Sequence, residues 1–333
     1  MVVRPVAATL FVALGFTACS GGTDPPTPDT DRPIAYTLNN DGYGVIWAAA
    51  AEGDAPPLAL TPPPPQADTD ASGSQTGAWS PDGTRLAYAG TGDSVREDQR
   101  NLDLYVVGSD GRGTVRLTDD DDVMDATPTW SPDGTQIAFG RLRGNGSEEV
   151  DGVLAVVDAD GGSYEELTSH PEDGPPTLDG SPAWAPDGSR IAFTRAVFDP
   201  EGLRSDLYTV SPSGTDERLL LEDVLTARWS PDGTRIVFTT SRDRNGRTCY
   251  HECSPSSEIY VANADGTGVR RLTIDEADDI SPAWSGDGKR IAFLSDRSNT
   301  TEHTYEIYVM DADGANVEQL SELGGFLTDL AWY

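Results

Sequence analysis

Short runs of strand-forming apolar residues recur along the chain, separated by tight-turn sequences. Five of them follow one pattern, W-S/A-P/G-D-G-x-x-I/L-A/V-F/Y, at 79–88, 130–139, 184–193, 229–238 and 284–293. Pro presets φ at a turn corner, Asp bonds the backbone, and Gly accepts a positive φ. Each copy therefore predicts two strands joined by a tight turn.

Two further strands are predicted after each copy. A third apolar run is followed by a second tight turn and by a short fourth strand that ends in Leu-Thr or a variant of it. The third strands are predicted at 104–107, 154–157, 207–210, 259–262 and 307–310, and the fourth at 116–118, 166–168, 219–221, 271–273 and 319–321. A repeat of this length typically indicates one four-stranded sheet per copy.

A sixth copy of the pattern is split between the two ends of the chain. Its second half is Pro33-Ile-Ala-Tyr36 and its first half is Leu330-Ala-Trp-Tyr333. We expect the chain end to supply the missing first strand of the first unit, which would hide both terminal strand edges. The predicted fold is all-β: a six-bladed β-propeller of four-stranded blades over residues 32–333, closed into a ring by pairing of the N- and C-terminal strands.

The W-S-P-D-G-x-x-I-A-F…I-Y-V…D-G…L-T unit resembles the WD40-like propeller repeat (PD40) of the TolB family. The resemblance covers residues 33–333. It implies a propeller fold and a role in protein–protein interaction in the bacterial cell envelope.

The N-terminal residues have the features of an export signal. A positive charge precedes an apolar run at 6–16 that is too short to span a bilayer. The sequence up to Cys19 resembles a bacterial lipoprotein signal, which implies removal of residues 1–18 and lipidation of Cys19. The alternative is a secretory signal cut near Ala18 that leaves a free thiol. Residues 19–31 are predicted to be a flexible tether.

The two remaining cysteines, Cys249 and Cys253, stand four residues apart in one loop. In an oxidising envelope a local disulfide is expected. The alternative is a metal pair with His251, but zinc would need further ligands, and none is spaced nearby.

The chain is strongly acidic, with 56 Asp and Glu against 23 Lys and Arg and a formal net charge of −33. Nucleic-acid binding is not expected, because phosphate contacts need a basic face. Basic proteins, cations or neutral surfaces are the expected partners. The alternative explanations are solubility, a high-salt habitat or a GC-rich genome.

Acidic residues concentrate in the connections between units. Asp125, Asp179 and Asp279 each stand five residues before their Trp, and Asp122 and Asp275 lie nearby. In a propeller this register should fall near the mouth of the central channel, where carboxylates attract a basic peptide or a cation such as calcium. We expect partner binding here, with a possible metal role for the three residues in register. The alternative is that each is an ordinary solvated loop residue.

Two further sets of charged residues are the arginines of the long loops and the aspartates of the tight turns. Arg141 and Arg195, in other long loops, either anchor a carboxylated ligand or form local salt bridges. The turn residues Asp82, Asp133, Asp187, Asp232 and Asp287 are explained by turn chemistry, so no metal role is expected there.

Catalytic signatures such as H-E-x-x-H, G-x-S-x-G and P-loops are absent from the sequence. We expect a non-enzymatic, monomeric lipoprotein, exported and anchored in the cell envelope at the periplasmic face of the outer membrane or at the cell surface. It would act as an interaction scaffold that binds an envelope protein or a basic peptide through an acidic long-loop face. No cofactor is expected apart from calcium. The alternative is a carbohydrate-active or calcium-dependent propeller with a site in its central funnel.

Overall fold

The computed structural model describes residues 34–40, 43–49, 56–61, 75–91, 102–120, 123–143, 151–171, 173–199, 202–243, 256–298, 304–323 and 326–333. The predicted signal segment and tether, Cys19, Cys249, Cys253 and Asp122 lie outside these residues. Within them the regular elements are all strands, and no helix is long and apolar enough to cross a membrane. The predicted all-β class is confirmed.

Four of the sheets in the described residues have four strands each, in antiparallel order. The first is β24 (Phe326–Trp332), β1 (Ile34–Asn40), β2 (Tyr43–Ala49) and β3 (Leu58–Ala59), and the second is β4 (Gln75–Trp79), β5 (Arg85–Gly90), β6 (Asp103–Gly108) and β7 (Val115–Arg116). The third is β16 (Thr226–Trp229), β17 (Arg235–Thr240), β18 (Glu258–Asn263) and β19 (Arg270–Arg271), and the fourth is β20 (Asp279–Trp284), β21 (Arg290–Ser295), β22 (Glu306–Asp311) and β23 (Glu318–Gln319).

Two repeat units share one eight-stranded sheet. Its strands are β8 (Val123–Trp130), β9 (Gln136–Arg143), β10 (Asp151–Asp158), β11 (Glu165–Glu166), β12 (Thr177–Trp184), β13 (Ile191–Asp199), β14 (Gly202–Val210) and β15 (Arg218–Leu221). The prediction of six separate four-stranded blades is therefore wrong for the described residues, which form four four-stranded sheets and one sheet of eight strands.

A short parallel contact joins these two units. Asp151 and Gly152 of β10 pair with Thr177 and Leu178 of β12. A Cβ on Gly152 would lie 2.8 Å from Leu142 Cδ1 and 3.0 Å from Leu178 Cδ2. It would also lie 3.2 Å from Leu178 Cα, so a side chain here would require the neighbouring residues to shift, and the glycine favours the close pairing that merges the two units.

The last strand pairs with the first. In the antiparallel register of β24 and β1, Ile34 lies opposite Trp332 and Tyr36 opposite Leu330. β24 also contacts β4 and β20, the first strands of the neighbouring sheets. The sheet that contains both ends of the described chain therefore packs between two others.

The Ser-Pro-Asp-Gly turns are held by their aspartates. Asp82 Oδ1 accepts hydrogen bonds from the Ser80 hydroxyl at 2.6 Å and from the Thr84 N–H at 3.1 Å, and Gly83 has φ +66°. The same two bonds recur at Asp133, Asp232 and Asp287, and Asp187 keeps the backbone bond. The turn role predicted for these aspartates is confirmed.

The Leu-Thr ending of the fourth strand also has a structural use. The hydroxyl oxygen of its Thr or Ser accepts a hydrogen bond from the backbone N–H of the residue that begins the apolar run of the third strand. The bonds are Leu104 to Thr118 (3.0 Å), Leu154 to Thr168 (2.9 Å), Ile259 to Thr273 (2.9 Å) and Ile307 to Ser321 (2.8 Å). A side chain thus satisfies a buried backbone donor where the outermost strand is too short to do so.

The apolar cores lie between successive sheets. One cluster combines Leu104 of β6 with Trp130 and Phe139 of the next unit, and another combines Ile34 of β1 with Leu294 of β21. Each sheet therefore buries its faces only against its neighbours, as expected for a repeat architecture.

The repeated tryptophan links neighbouring units in two ways. Its indole N–H donates to the carbonyl that precedes the tryptophan of the previous unit, as from Trp130 to Ala78 (3.1 Å) and from Trp229 to Ala183 (3.1 Å). An arginine of the previous unit also stacks on the ring, with Arg85 Cζ 4.6 Å from the centroid of the Trp130 ring. Trp284 and Trp332 carry the equivalent Arg235 and Arg290.

The terminal strand β24 is predicted to be part of the core. Leu330 is 4% exposed and lies in the cluster that contains Ile34. Leu330→Ala should therefore lower the free energy of unfolding of the protein by about 2–4 kcal/mol. Leu219→Ala, at a residue 47% exposed, is the matched control and should cost under about 1 kcal/mol. Urea unfolding of both variants measures this. Equal effects would contradict the role of β24 in the core.

Candidate functional site

The three aspartates in register are buried rather than exposed. Asp125 and Asp279 are 0% exposed and Asp179 is 2% exposed. They lie at or near the start of the innermost strands β8, β12 and β20. Their register is as the sequence indicates, but their carboxylates point into the protein.

Each of these carboxylates binds an arginine of its own unit. Arg141 Nη1 donates to both oxygens of Asp125 at 3.0 and 3.1 Å. Arg195 donates through Nε and Nη2 to Asp179, both at 2.7 Å. For Asp279 the donor is Arg297 Nη2, at 2.8 and 2.9 Å. For Arg141 and Arg195 the structure thus shows local salt bridges.

Each arginine also reaches a second carboxylate nearer the surface. Arg141 binds Asp120, Arg195 binds Glu217 at 2.6 Å, and Arg297 binds Asp275 at 3.1 Å. The predicted binding residue Asp275 also accepts the backbone N–H of Ala277 at 2.9 Å. Each set combines two acids with one arginine, and in each the arginine is bound by carboxylates of the protein, although Nε of Arg141 has no hydrogen-bond partner within the described residues.

The pKa values of the three buried aspartates differ because their donors differ. Burial raises the pKa of Asp125 to about 6, although Arg141 opposes this. Burial likewise raises the pKa of Asp279 against the hydrogen bonds of Ser295 and Arg297. Burial also acts on Asp179, but bonds from Arg195, His170 and Thr168 outweigh it and hold the pKa of Asp179 below its usual value.

His170 lies at the join between the two merged units. Its Nε2 is 3.2 Å from Asp179 Oδ2 and 3.1 Å from the carbonyl oxygen of Gly152, the residue that permits the parallel pairing. The hydrogen bond to Asp179 raises the pKa of His170 above its usual 6.5. Through Nε2, the imidazole therefore links Gly152 of β10 to Asp179 of β12.

A second row of buried acids was not predicted. Asp103, Asp206, Glu258 and Glu306 each stand directly before the apolar run of a third strand and are 0–5% exposed. Asp103 pairs with Arg116 at 2.6 Å and Glu258 with Arg271 at 2.5 Å. The signal was present as the repeated D-L-Y and E-I-Y sequences, which place an acid at one register position in four units.

In the described part of the chain, no three His, Cys, Asp or Glu side chains are grouped so that they could hold a metal ion. Asp125, Asp179 and Asp279 are therefore not brought together into such a group. The calcium-dependent alternative gains no support from their geometry.

The long-loop face is the end of the sheets that carries the connections between units and the loops between second and third strands. On this face the hairpin β13–β14 has the longest strands among the described residues, with nine residues in each strand. Phe198 and Leu203 pair across its tip and are 43% and 63% exposed. The Phe198 N–H donates to the Pro176 carbonyl at 3.0 Å, so the connection 173–176 lies beside the tip.

The opposite end, which we name the turn face, has a cavity between the ends of the first strands. Its volume is about 720 Å³. The walls include Trp79, Trp229, Trp284 and Trp332, together with prolines of the tight turns, and they carry one arginine, Arg228. The cavity is of a size that holds a small molecule.

Comparison with known proteins identifies the fold. The family model of the Tricorn protease N-terminal beta propeller domain matches residues 99–327. The crystal structure of TolB from Acinetobacter baumannii aligns with a TM-score of 0.64 and 18% identity, over 91% of this chain and 67% of that chain. A putative TolB from Agrobacterium tumefaciens aligns with a TM-score of 0.58 and 19% identity, over 91% and 99%. The predicted β-propeller fold is confirmed.

Curated relatives are similar over part of their length. Tol-Pal system protein TolB of Anaeromyxobacter dehalogenans is 36% identical over 198 residues, which cover 54% of this chain and 36% of that protein. The uncharacterized peptidase YuxL of Bacillus subtilis is 23% identical over 234 residues, which cover 70% and 31%. The matched region therefore spans only about a third of these relatives.

The stabilising effect of His170 is predicted to depend on pH. Because its pKa is raised, its contribution is fully present below about pH 6.5 and is lost as the pH rises through the folded-state pKa. His170→Gln should lower the free energy of unfolding more near pH 5.5 than near pH 9. In an Asp179→Asn background the difference should become smaller, because the hydrogen bond to Asp179 is the largest cause of the raised pKa. Urea unfolding at the two pH values measures it, and a larger effect of His170→Gln at high pH would contradict the pairing.

Proposed function

The chain belongs to the family of the Tricorn protease N-terminal beta propeller domain, and on that premise we propose that it is a non-enzymatic propeller of the bacterial cell envelope that binds a protein through its long-loop face. The observation that carries the proposal is the exposed apolar pair at the tip of the β13–β14 hairpin, on a face that carries exposed acidic residues. The pairing of β24 with β1 supports a further proposal, that the propeller closes on itself through that sheet.

The hairpin tip has the character of an interaction anchor. Phe198 and Leu203 are both large and exposed, and they lie side by side on a regular strand pair rather than in a loop. Adjacent exposed apolar side chains with a polar surround are typical of protein-binding sites, in which few residues supply most of the binding energy. Side chains held on paired strands need less ordering on binding than side chains in an irregular loop.

The surrounding charge favours a basic partner. Asp173, Glu222, Glu276 and Glu322 are exposed in four connections on this face. Arg141, Arg195 and Arg297 are each bound to a buried carboxylate and to one other acid, and within the described residues none of them forms an ion pair with these four acids. A basic segment would gain attraction over the whole face, which raises the rate of association more than the final affinity.

The curated relatives support an interaction role. Several are named as the TolB protein of the Tol-Pal system, which is a name for a member of a protein assembly. We propose a comparable role for this chain, without assigning it the same partners, because it spans only part of those proteins.

Loss of the apolar tip should weaken partner capture. With the full chain as bait for detergent-solubilised envelope proteins, Phe198→Ser/Leu203→Ser should reduce the affinity for the captured partner at least about tenfold, a loss of about 1.4 kcal/mol. The matched control is Val115→Ser/Val269→Ser, two exposed apolar residues away from this face that are 51% and 40% exposed. Equal loss in both double variants would contradict a specific site at the tip.

The acidic residues are tested separately by charge removal. Glu222→Gln/Glu276→Gln/Glu322→Gln should lower capture at low salt and reduce its salt dependence, because exposed charges are screened by salt. The control Asp158→Asn/Asp160→Asn/Glu318→Gln removes the same charge from exposed residues away from the long-loop face. A protein partner that is insensitive to both triple variants would argue against the charge part of the proposal.

We also propose that Cys19 carries a lipid anchor, which the sequence of residues 1–19 supports. Cys19→Ser should move the protein from the membrane fraction to the soluble fraction and abolish incorporation of a labelled fatty acid. Cys249→Ser is the matched control and should change neither. Membrane retention of Cys19→Ser, or a wild-type Cys19 that reacts with a maleimide, would favour the free thiol instead.

A further inference from the structure

One position of the inner strands differs in a single unit. The residue directly before the repeated tryptophan is small in five units: Ala78, Thr129, Ala183, Ala283 and Ala331. In the remaining unit it is Arg228, before Trp229. Arg228 lines the cavity at the turn face, and the apolar and indole-bearing walls around it supply no second cation.

The guanidinium of Arg228 is not paired like the other buried arginines. Arg141, Arg195 and Arg297 each bind two carboxylates. Arg228 Nη1 donates to the Ala227 carbonyl at 2.9 Å, and within the described residues its side chain makes no further hydrogen bond or ion pair. Arg228 thus lines the cavity with N–H groups that have no protein partner within the described residues.

The only acid that acts on Arg228 among the described groups is Asp329, on β24. It occupies a position that is Thr or Ser in the other units: Thr76, Thr127, Ser181, Thr226 and Ser281. Asp329 accepts a hydrogen bond from Thr328 at 3.3 Å, and it forms no ion pair with Arg228. The remaining N–H groups of the Arg228 guanidinium are thus available to another acceptor.

We propose that this cavity binds a small organic carboxylate with an aromatic body, held by its carboxylate on Arg228 and by its ring against the surrounding indoles. A guanidinium binds a carboxylate through two parallel hydrogen bonds, with a geometry that a single ammonium cannot provide. The indoles of Trp79, Trp229, Trp284 and Trp332 offer apolar faces for a ring.

The walls argue against an inorganic anion. Phosphate would bring nearly two negative charges to a lining that has one cation, Arg228, with Asp329 acting on it as well. A monocarboxylate brings only one negative charge, and its apolar body matches the aromatic walls. The cavity volume of about 720 Å³ leaves room for one small ligand.

This proposal is independent of the protein-binding role of the long-loop face, since it concerns the opposite end of the sheets. The two can fail separately: loss of ligand binding would leave partner capture at the hairpin tip unchanged.

The test uses the full chain and three probes: phenylacetate, the uncharged isostere phenylacetamide, and inorganic phosphate. The cavity tryptophans provide the readout by fluorescence, and thermal unfolding provides a second one. We expect saturable binding of phenylacetate, with the amide and phosphate each at least about tenfold weaker. Equal affinity for phenylacetamide, or tighter binding of phosphate, would overturn the proposal. So would the absence of any saturable response to phenylacetate.

Variants assign the effect to Arg228. Arg228→Gln should lose phenylacetate binding at least about tenfold, and Arg228→Lys should keep part of it, because the charge remains and the fork is lost. Arg112→Gln, at an exposed arginine remote from the cavity, is the matched control and should bind as the wild type does. Binding to Arg228→Gln at wild-type affinity would overturn the proposal. If that variant does not fold, the comparison of acid and amide on the wild type decides.

Discussion

The tryptophan at the end of each inner strand is the contact on which the arrangement of the sheets depends. Its ring packs in the core between two units, and in three of the described units its N–H bonds the backbone of the previous unit. A small sheet of this kind cannot bury its own faces, so its position follows from these contacts with its neighbour.

Trp79 and Trp184 lack this hydrogen bond within the described residues, and at the Trp184 junction another contact takes its place. Trp184 has no hydrogen-bond partner for its N–H within the described residues, and the position of the stacking arginine is Gln136. At this junction the two units are joined by the parallel pairing of β10 with β12 and by His170. The eight-stranded sheet is thus a local change in how one pair of repeats is held together.

The distribution of charge follows from how the buried carboxylates are paired with arginines. Buried carboxylates need donors, and most interior arginines are used to neutralise them. The acids that remain exposed have few cations near them, so the large negative charge of the chain lies at its surface. Arg228 forms no ion pair with a carboxylate within the described residues, and it lines a cavity. The two ends of the sheets therefore differ: one is acidic with an apolar hairpin tip, and the other has an aromatic pocket with one arginine in its lining.

The sequence alone determined the strands, the turns and the all-β propeller, because these depend on short-range patterns that repeat: apolar runs, Pro-Asp-Gly turns and the spacing of tryptophan. It also indicated the register of Asp125, Asp179 and Asp279. Only the tertiary structure decided which way those carboxylates point, since their arginines come from the adjacent strand or the connection after it. The join at Gly152, the exposed pair at Phe198 and Leu203, and the isolation of Arg228 likewise depend on distances between strands, and a one-dimensional pattern does not contain distances.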